Sequence, residues 1–266
     1  MKNLARQSFK AAVLAASLFT TLFASASHAG EGLERILKNN QVRIAVPVDY
    51  PPYGFVGADM VPKGLDIDVA NLLAEKLGVK LQLVPVTAPN RVAYIQSGKA
   101  DFTISSLGKT AEREKVIDYS IAYSPFFDAV FGKQALDVKT LDDLAGRTVS
   151  VTRGSMQDRE LTDMAPKAIV KRFEDNNSTI AAFMSGQTDM AAVGTTVVSA
   201  LTQKNPKLDM HLKVVLSNSP NYIGMNKDEP ELRDKINQII RAAKADGTLD
   251  GISQKWLGAP IGNLPE

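Results

Sequence analysis

The chain contains no cysteine. No disulfide framework can form, no thiolate is available to a metal, and the lipid anchor of a bacterial lipoprotein has no residue to occupy. Histidine is nearly as scarce: His28 lies in the N-terminal segment, and beyond it only His211 remains. Most nucleophilic triads and zinc sites depend on imidazole or thiolate, so neither is expected here. The sequence therefore predicts no catalytic residue set, no metal and no cofactor. Long apolar runs are missing as well. The longest, Ala11 to Ala24, falls short of the roughly 20 residues that a membrane-spanning helix needs.

That short run has the neighbours of an export signal. Lys2, Arg6 and Lys10 precede or open it, and Ser27-His28-Ala29 follows with the small-x-small pattern of a cleavage site. Ala24-Ser25-Ala26 is a second possible site. Residues 1–29 are read as a removed signal peptide, which places the mature protein in the periplasm. Removal takes three of the 31 basic residues and none of the 29 acidic ones, so a formal charge of +2 becomes 28 against 29, or −1. No basic surplus is left to attract a nucleic acid.

What remains alternates strand-like and helix-like stretches, the pattern of an α/β protein. Val42 to Val46 is a short β-rich run. Val69, Leu72, Leu73 and Leu77 follow at helical spacing, and Gly78 stands where a helix stops. An internal echo is more informative. YIQSGKADF at 94–102 and AFMSGQTDM at 182–190 both run from a helix through Ser-Gly to an Asp that opens an apolar strand. Thr148 to Thr152 likewise echoes Val42 to Val46. Two similar lobes follow, each built on a parallel sheet: 30–128 with the return segment 220–266, and 129–219 between them. Leu232, Ile236, Ile239 and Ile240 form one helical face that would pack back on the first lobe. The two crossings make a hinge.

In open α/β sheets ligands sit beyond the carboxyl ends of the strands, here after Val46, Ile104, Val151 and Ala192. Ser105, Ser106 and Gly108 offer donors in one turn, and Thr110 then caps a short helix carrying Arg113. A guanidinium fork matches a carboxylate, although on the local sequence alone a solvated residue paired with Glu112 or Glu114 is the favoured reading of Arg113. Gly154, Ser155 and Met156 form a turn entering a helix, where backbone N–H groups would favour an anion; an ordinary turn with an N-cap is the alternative. Tyr50 and Tyr53, stiffened by Pro51 and Pro52, offer aromatic cover or plain core packing.

Together these residues resemble the family-3 extracellular solute-binding proteins of bacterial ABC importers, most of which carry polar amino acids. The resemblance runs from about Val42 to Leu257. It rests on Gly64-Leu65-Asp66-Ile67-Asp68-Val69, on SGKADFTISSLGKTAER, and on Gly247-Thr248-Leu249 with Lys255-Trp256-Leu257. It implies the two-lobed type II periplasmic-binding-protein fold, each lobe a mostly parallel sheet flanked by helices, acting as a monomer with a membrane permease as partner. It further implies that Arg113 clamps a ligand α-carboxylate, that Ser105, Ser106 and Gly108 bind the carboxylate and ammonium, that Gly154, Ser155 and Met156 complete the carboxylate site, and that Tyr50 covers the ligand side chain.

One position departs from the family. Where members that bind α-amino acids place an ammonium-pairing aspartate, this chain has Gly194, followed by Thr195 and Thr196. Either another acid supplies the charge, with Asp49, Asp158 and Asp175 as candidates, or the ligand has no ammonium there. The chain also resembles cyclohexadienyl dehydratases on the same fold, which eliminate water from a carboxylate substrate. That chemistry needs a general acid in the cleft, and none stands at 194–196.

Overall fold

The computed structural model describes residues 31–266. The expected signal peptide lies outside the described residues. Among them no helix is long and apolar enough to cross a membrane.

Two five-stranded sheets form the frame. In the first the spatial order is 80–85, 41–46, 102–107, 221–226, 117–124; in the second it is 169–173, 148–152, 190–194, 127–132, 211–218. Each sheet is mostly parallel, as expected, and contains one reversed strand. Asn221–Asn226 runs antiparallel to both its neighbours, and so does Phe127–Gly132. These are the two strands that enter a lobe from the other one. A chain arriving across the hinge must run away from the cleft, whereas the remaining strands run towards it. The reversal therefore leaves the carboxyl ends of the others facing a common gap, the place where such sheets bind ligands. The chain leaves the first sheet after Ser124 and joins the second at Phe127, slightly ahead of the boundary expected at 129. It returns between Asn218 and Asn221.

Burial follows the sequence pattern. Val42, Ile44 and Val46 are fully buried in their strand, and helix Leu65–Leu77 lays Val69, Ala70, Leu73 and Leu77 against that core. Helix Pro230–Ala245 buries Leu232, Ile236, Ile239 and Ile240, as its periodicity requires, and packs on the first-lobe strand Ile117–Ser124.

The internal echo has a specific structural job. Helix Arg91–Gln96 ends before Gly98 (φ 68°), and helix Asn176–Met184 ends before Gly186 (φ 77°), a left-handed conformation that costs glycine least. The Asp three residues later then fastens the start of a strand. Asp101 accepts the backbone N–H of Arg43 (2.7 Å) and the guanidinium of Arg43 (2.7 Å), while Asp189 accepts the N–H (2.9 Å) and hydroxyl (2.7 Å) of Thr148. Both aspartates sit at the strand ends far from the cleft, so they are staples rather than ligand groups. Their environments differ, since the Asp101 carboxylate is buried and also meets Arg35. Replacing Asp101 with Ala should lower the unfolding free energy by about 2–4 kcal/mol, because it strands a buried N–H and a guanidinium. The exposed Asp189→Ala should cost only about 1 kcal/mol. Urea denaturation of the two variants checks that order, and equal losses would contradict it.

Candidate ligand-binding cleft

The lobes meet around a small interlobe cavity. From the first lobe and the return strand come Asp49, Tyr50, Arg91, Ser105, Ser106, Gly108 and Asn221. The second lobe and its crossings contribute Phe126, Asp128, Ser155, Met156, Gln157, Asn176 and Ser219. Three of the four anticipated strand ends thus border it directly.

The first-lobe wall is held in shape by a buried carboxylate. Asp66, from the Gly64–Val69 motif, accepts the N–H (2.9 Å) and hydroxyl (3.2 Å) of Ser106 and the hydroxyl of Tyr123 (2.7 Å). Ser106 has φ 45°, an uncommon conformation for a residue with a side chain, and the Asp66 contacts hold it there. Burial pushes the Asp66 carboxyl up to about 6 against these hydrogen bonds. Ser106 therefore shapes the turn, with its donors already engaged, while Ser105 lies buried on the cavity wall.

Two guanidiniums converge on the second-lobe turn. Arg113 sits in the short helix Ala111–Glu114, whose first turn is capped by Thr110 as its spacing implied. It donates to Gly108 O (2.8 Å) in its own lobe and to Gly154 O (2.7 Å) in the other, with Met156 Sδ at 3.8 Å. The second guanidinium was not anticipated from the sequence. Arg91 is buried, donates to Ala88 O, Ser105 O and Ser106 O, and reaches Gly154 O at 3.4 Å. Burial, together with the neighbouring Arg113, lowers Arg91 to about 9, still cationic at neutral pH. Burial also lowers Arg113. On the far side Ser155 caps helix Met156–Met164, so a helix N-terminus adds to this electropositive corner.

Of the ten residues expected at the site, Tyr50, Ser105, Ser106, Gly108, Ser155 and Met156 line the cavity. Arg113 and Gly154 instead line an adjoining, more open groove with Thr110, Glu112, Asp158 and Arg159. Gly194 and Thr195 lie outside both linings. Tyr50 does not stand free as a lid: its hydroxyl accepts the N–H of Gly194 (3.1 Å), and its ring stacks with Tyr53 and Phe126. Tyr53 is core, tied to Thr196 at 2.9 Å. These bonds, with Glu112 to Arg159, join the lobes in a closed form.

The three acids considered for the vacant role at 194 are all engaged elsewhere. Asp49 accepts the backbone and side-chain N–H groups of Asn176, Asp158 holds Gly154 N and Arg172, and Asp175 caps helix Asn176–Met184. Asp49 borders the cavity with both oxygens bonded to Asn176, and a second acid also faces it. Asp128 is fully buried on the strand directly paired with Gly194, and its Oδ1 has no hydrogen-bond partner among the described residues. Its signal in the sequence was the lone charge in the apolar run Phe126–Phe131.

Known proteins share this two-lobed fold. The description "bacterial extracellular solute-binding proteins, family 3" matches residues 42–259. The chain belongs to that family. It is 27% identical to the L-cystine-binding protein TcyJ of Escherichia coli (strain K12), over 88% of this chain and 90% of the relative. Among solved structures it resembles an ancestral arginine-binding protein bound to arginine (32% identity, TM-score 0.79, 82% of this chain and 99% of that one). It also resembles the ancestral amino acid-binding protein AncCDT-1, a precursor of cyclohexadienyl dehydratase (29% identity, TM-score 0.77, 85% and 98%).

Burial and the nearby Glu160 push the Asp128 carboxyl up to about 8, and burial raises Glu160 as well. A carboxyl raised on folding contributes stability that is fully present below its unfolded value and lost as pH rises through the folded one. The ligand-free protein should therefore lose thermal stability between about pH 4 and about pH 8. Asp128→Asn should flatten that slope. A melting-temperature series that leaves the slope unchanged in the variant would contradict the assignment.

Proposed function

We propose that this protein is the periplasmic solute-binding component of an ABC importer, which captures an α-amino acid or close analogue by closing its lobes and delivers it to a membrane permease. The observation that carries the reading is the interlobe cavity, in which a buried guanidinium and an unpartnered buried carboxylate oxygen face one enclosed space. That pairing suits a zwitterion. Arg91 and Arg113 converge on Gly154 O and supply positive charge for an α-carboxylate, while Ser105 and the Ser155–Met156 helix start add donors. Names of the relatives support the class of solute, since cystine and arginine are both amino acids. Family membership supports an extracytoplasmic location and work with a permease.

A dehydratase is the second reading, and one observation favours it. The sequence argument against catalysis was the lack of an acid near Gly194, yet Asp128 stands in the cavity with its carboxyl raised to about 8, the protonation state of a general acid. Capture without chemistry remains the proposed function because the relatives named above are binding proteins. Incubating the protein with prephenate or arogenate should give no product absorbance, and turnover would replace binding with catalysis.

The binding reading is tested by a thermal-shift screen of the twenty L-amino acids and L-cystine, followed by calorimetry. At least one should raise the melting temperature, because a ligand that binds only the folded state stabilises it. Arg113→Ala should weaken that ligand about 100-fold or more, as two charge-assisted bonds of roughly 1.5–3 kcal/mol each are lost, with the unfolding transition retained. Unchanged affinity would refute the clamp.

A further inference from the structure

The groups behind the cavity wall do not balance as ions. Asp128 Oδ2 lies 3.3 Å from Ser217 Oγ, and the same hydroxyl contacts Glu160 Oε1. Ser217 has one proton and can donate to only one of two ionised carboxylates. Asp128 Oδ1 and Glu160 Oε2 are both buried and have no partner among the described residues. One proton shared by the pair resolves the mismatch, because Ser217 then donates to one carboxyl and accepts from the other.

Other charges around Asp128 do not remove that need. Arg91 and Arg113 draw its carboxyl down, and the phenols of Tyr50 and Tyr53 face it, but burial outweighs the guanidiniums and Glu160 adds to it. Strand Phe127–Gly132, helix Met156–Met164 and strand His211–Asn218 all belong to the second lobe. The trio therefore stays together when the lobes part.

Two observations connect the trio to a ligand. The first is steric. A Cβ at Gly194 would lie 2.5 Å from the Phe126 ring, so an acid at that strand end would have to displace this ring from its packed position. The paired register Gly194↔Asp128 places position 128 beside it, on the same face of the sheet. The second observation is Asn221, 1% exposed on the return strand. It lines the cavity, and neither its Oδ1 nor its Nδ2 has a partner among the described residues. Buried polar atoms are rarely left in that state without a partner to come.

We propose that Asp128 Oδ1 and Asn221 Oδ1 receive the amino group of an α-amino acid, and that the Asp128–Ser217–Glu160 unit surrenders its shared proton as that cation docks. The inference rests on the amino-acid reading above. No bond in the ligand breaks: the ammonium arrives charged, one proton leaves to solvent, and the added negative charge on the carboxyl pair is matched by the ligand. Binding is thereby coupled to pH.

Calorimetry on the full protein tests this, using the strongest binder of the L-amino acid screen in buffers of different ionisation enthalpy. Near pH 6, about one proton should be released per ligand bound, and affinity should rise by up to about tenfold per pH unit before levelling off near about pH 8. Asp128→Asn should weaken binding about 100-fold, and Glu160→Gln should reduce both proton release and the pH dependence without abolishing them, because burial of Asp128 remains. Tight binding without proton release, or an Asp128→Asn variant within about threefold of the parent, would overturn the proposal while leaving the amino-acid reading intact. No binding by any amino acid would overturn both. Carboxyl ¹³C NMR of the ligand-free protein gives an independent readout, in which one high-titrating carboxyl should vanish in Asp128→Asn. Finding both Asp128 and Glu160 ionised at pH 6 would rule out the shared proton.

Discussion

The Arg113 guanidinium is held by two carbonyl oxygens that belong to different lobes, Gly108 O and Gly154 O. Much of the remaining architecture makes that contact possible. The reversed crossing strands aim the ends of both sheets at one gap. Asp66 holds Ser106 in its unusual conformation, and so sets the turn that presents Gly108. Thr110 fixes the short helix from which Arg113 reaches across. A charge half-satisfied by backbone dipoles in a closing cleft is primed for a stronger partner, since charge-assisted bonds to a carboxylate exceed those to neutral carbonyls. Arg91 adds a second guanidinium at the same oxygen, and the repulsion between the two is relieved by an anion.

The frame of this site was legible in the sequence because its signals are local. The glycine helix stops, the repeated Asp and the Thr110 cap each depend on a few adjacent residues, and they marked both lobes and three of the cleft-facing strand ends. The sheets' reversed strands were not local features, since they follow from the direction in which the chain crosses the hinge. Arg91 and Asp128 escaped for the same reason. Arg91 opens a six-residue helix and looks like a surface residue until Ser105, Ser106 and Gly154 close around it. Asp128 interrupts an apolar strand, and that single charge among Phe and Val was the one sequence clue to a buried role. The acids favoured from the sequence, Asp49, Asp158 and Asp175, are spent on helix starts and turns, a use that is common for aspartate.

Gly194 sits beside both a packed ring and a buried acid. Phe126 fills the space a side chain would need, joining the rings of Tyr50 and Tyr53 between the lobes. The buried aromatic cluster strengthens closure through apolar burial, and a buried acid, Asp128, stands on the paired strand opposite Gly194. There it meets Glu160 and Ser217, an environment that disfavours two full charges.

A crystal structure of the protein with its co-purified or screened ligand tests the central claim most directly. The account predicts closed lobes around an α-amino acid, its carboxylate hydrogen-bonded to Arg91 or Arg113 and its amino group against Asp128 Oδ1. A ligand without a primary amine in the cavity, or one whose carboxylate faces Asp128, would contradict it.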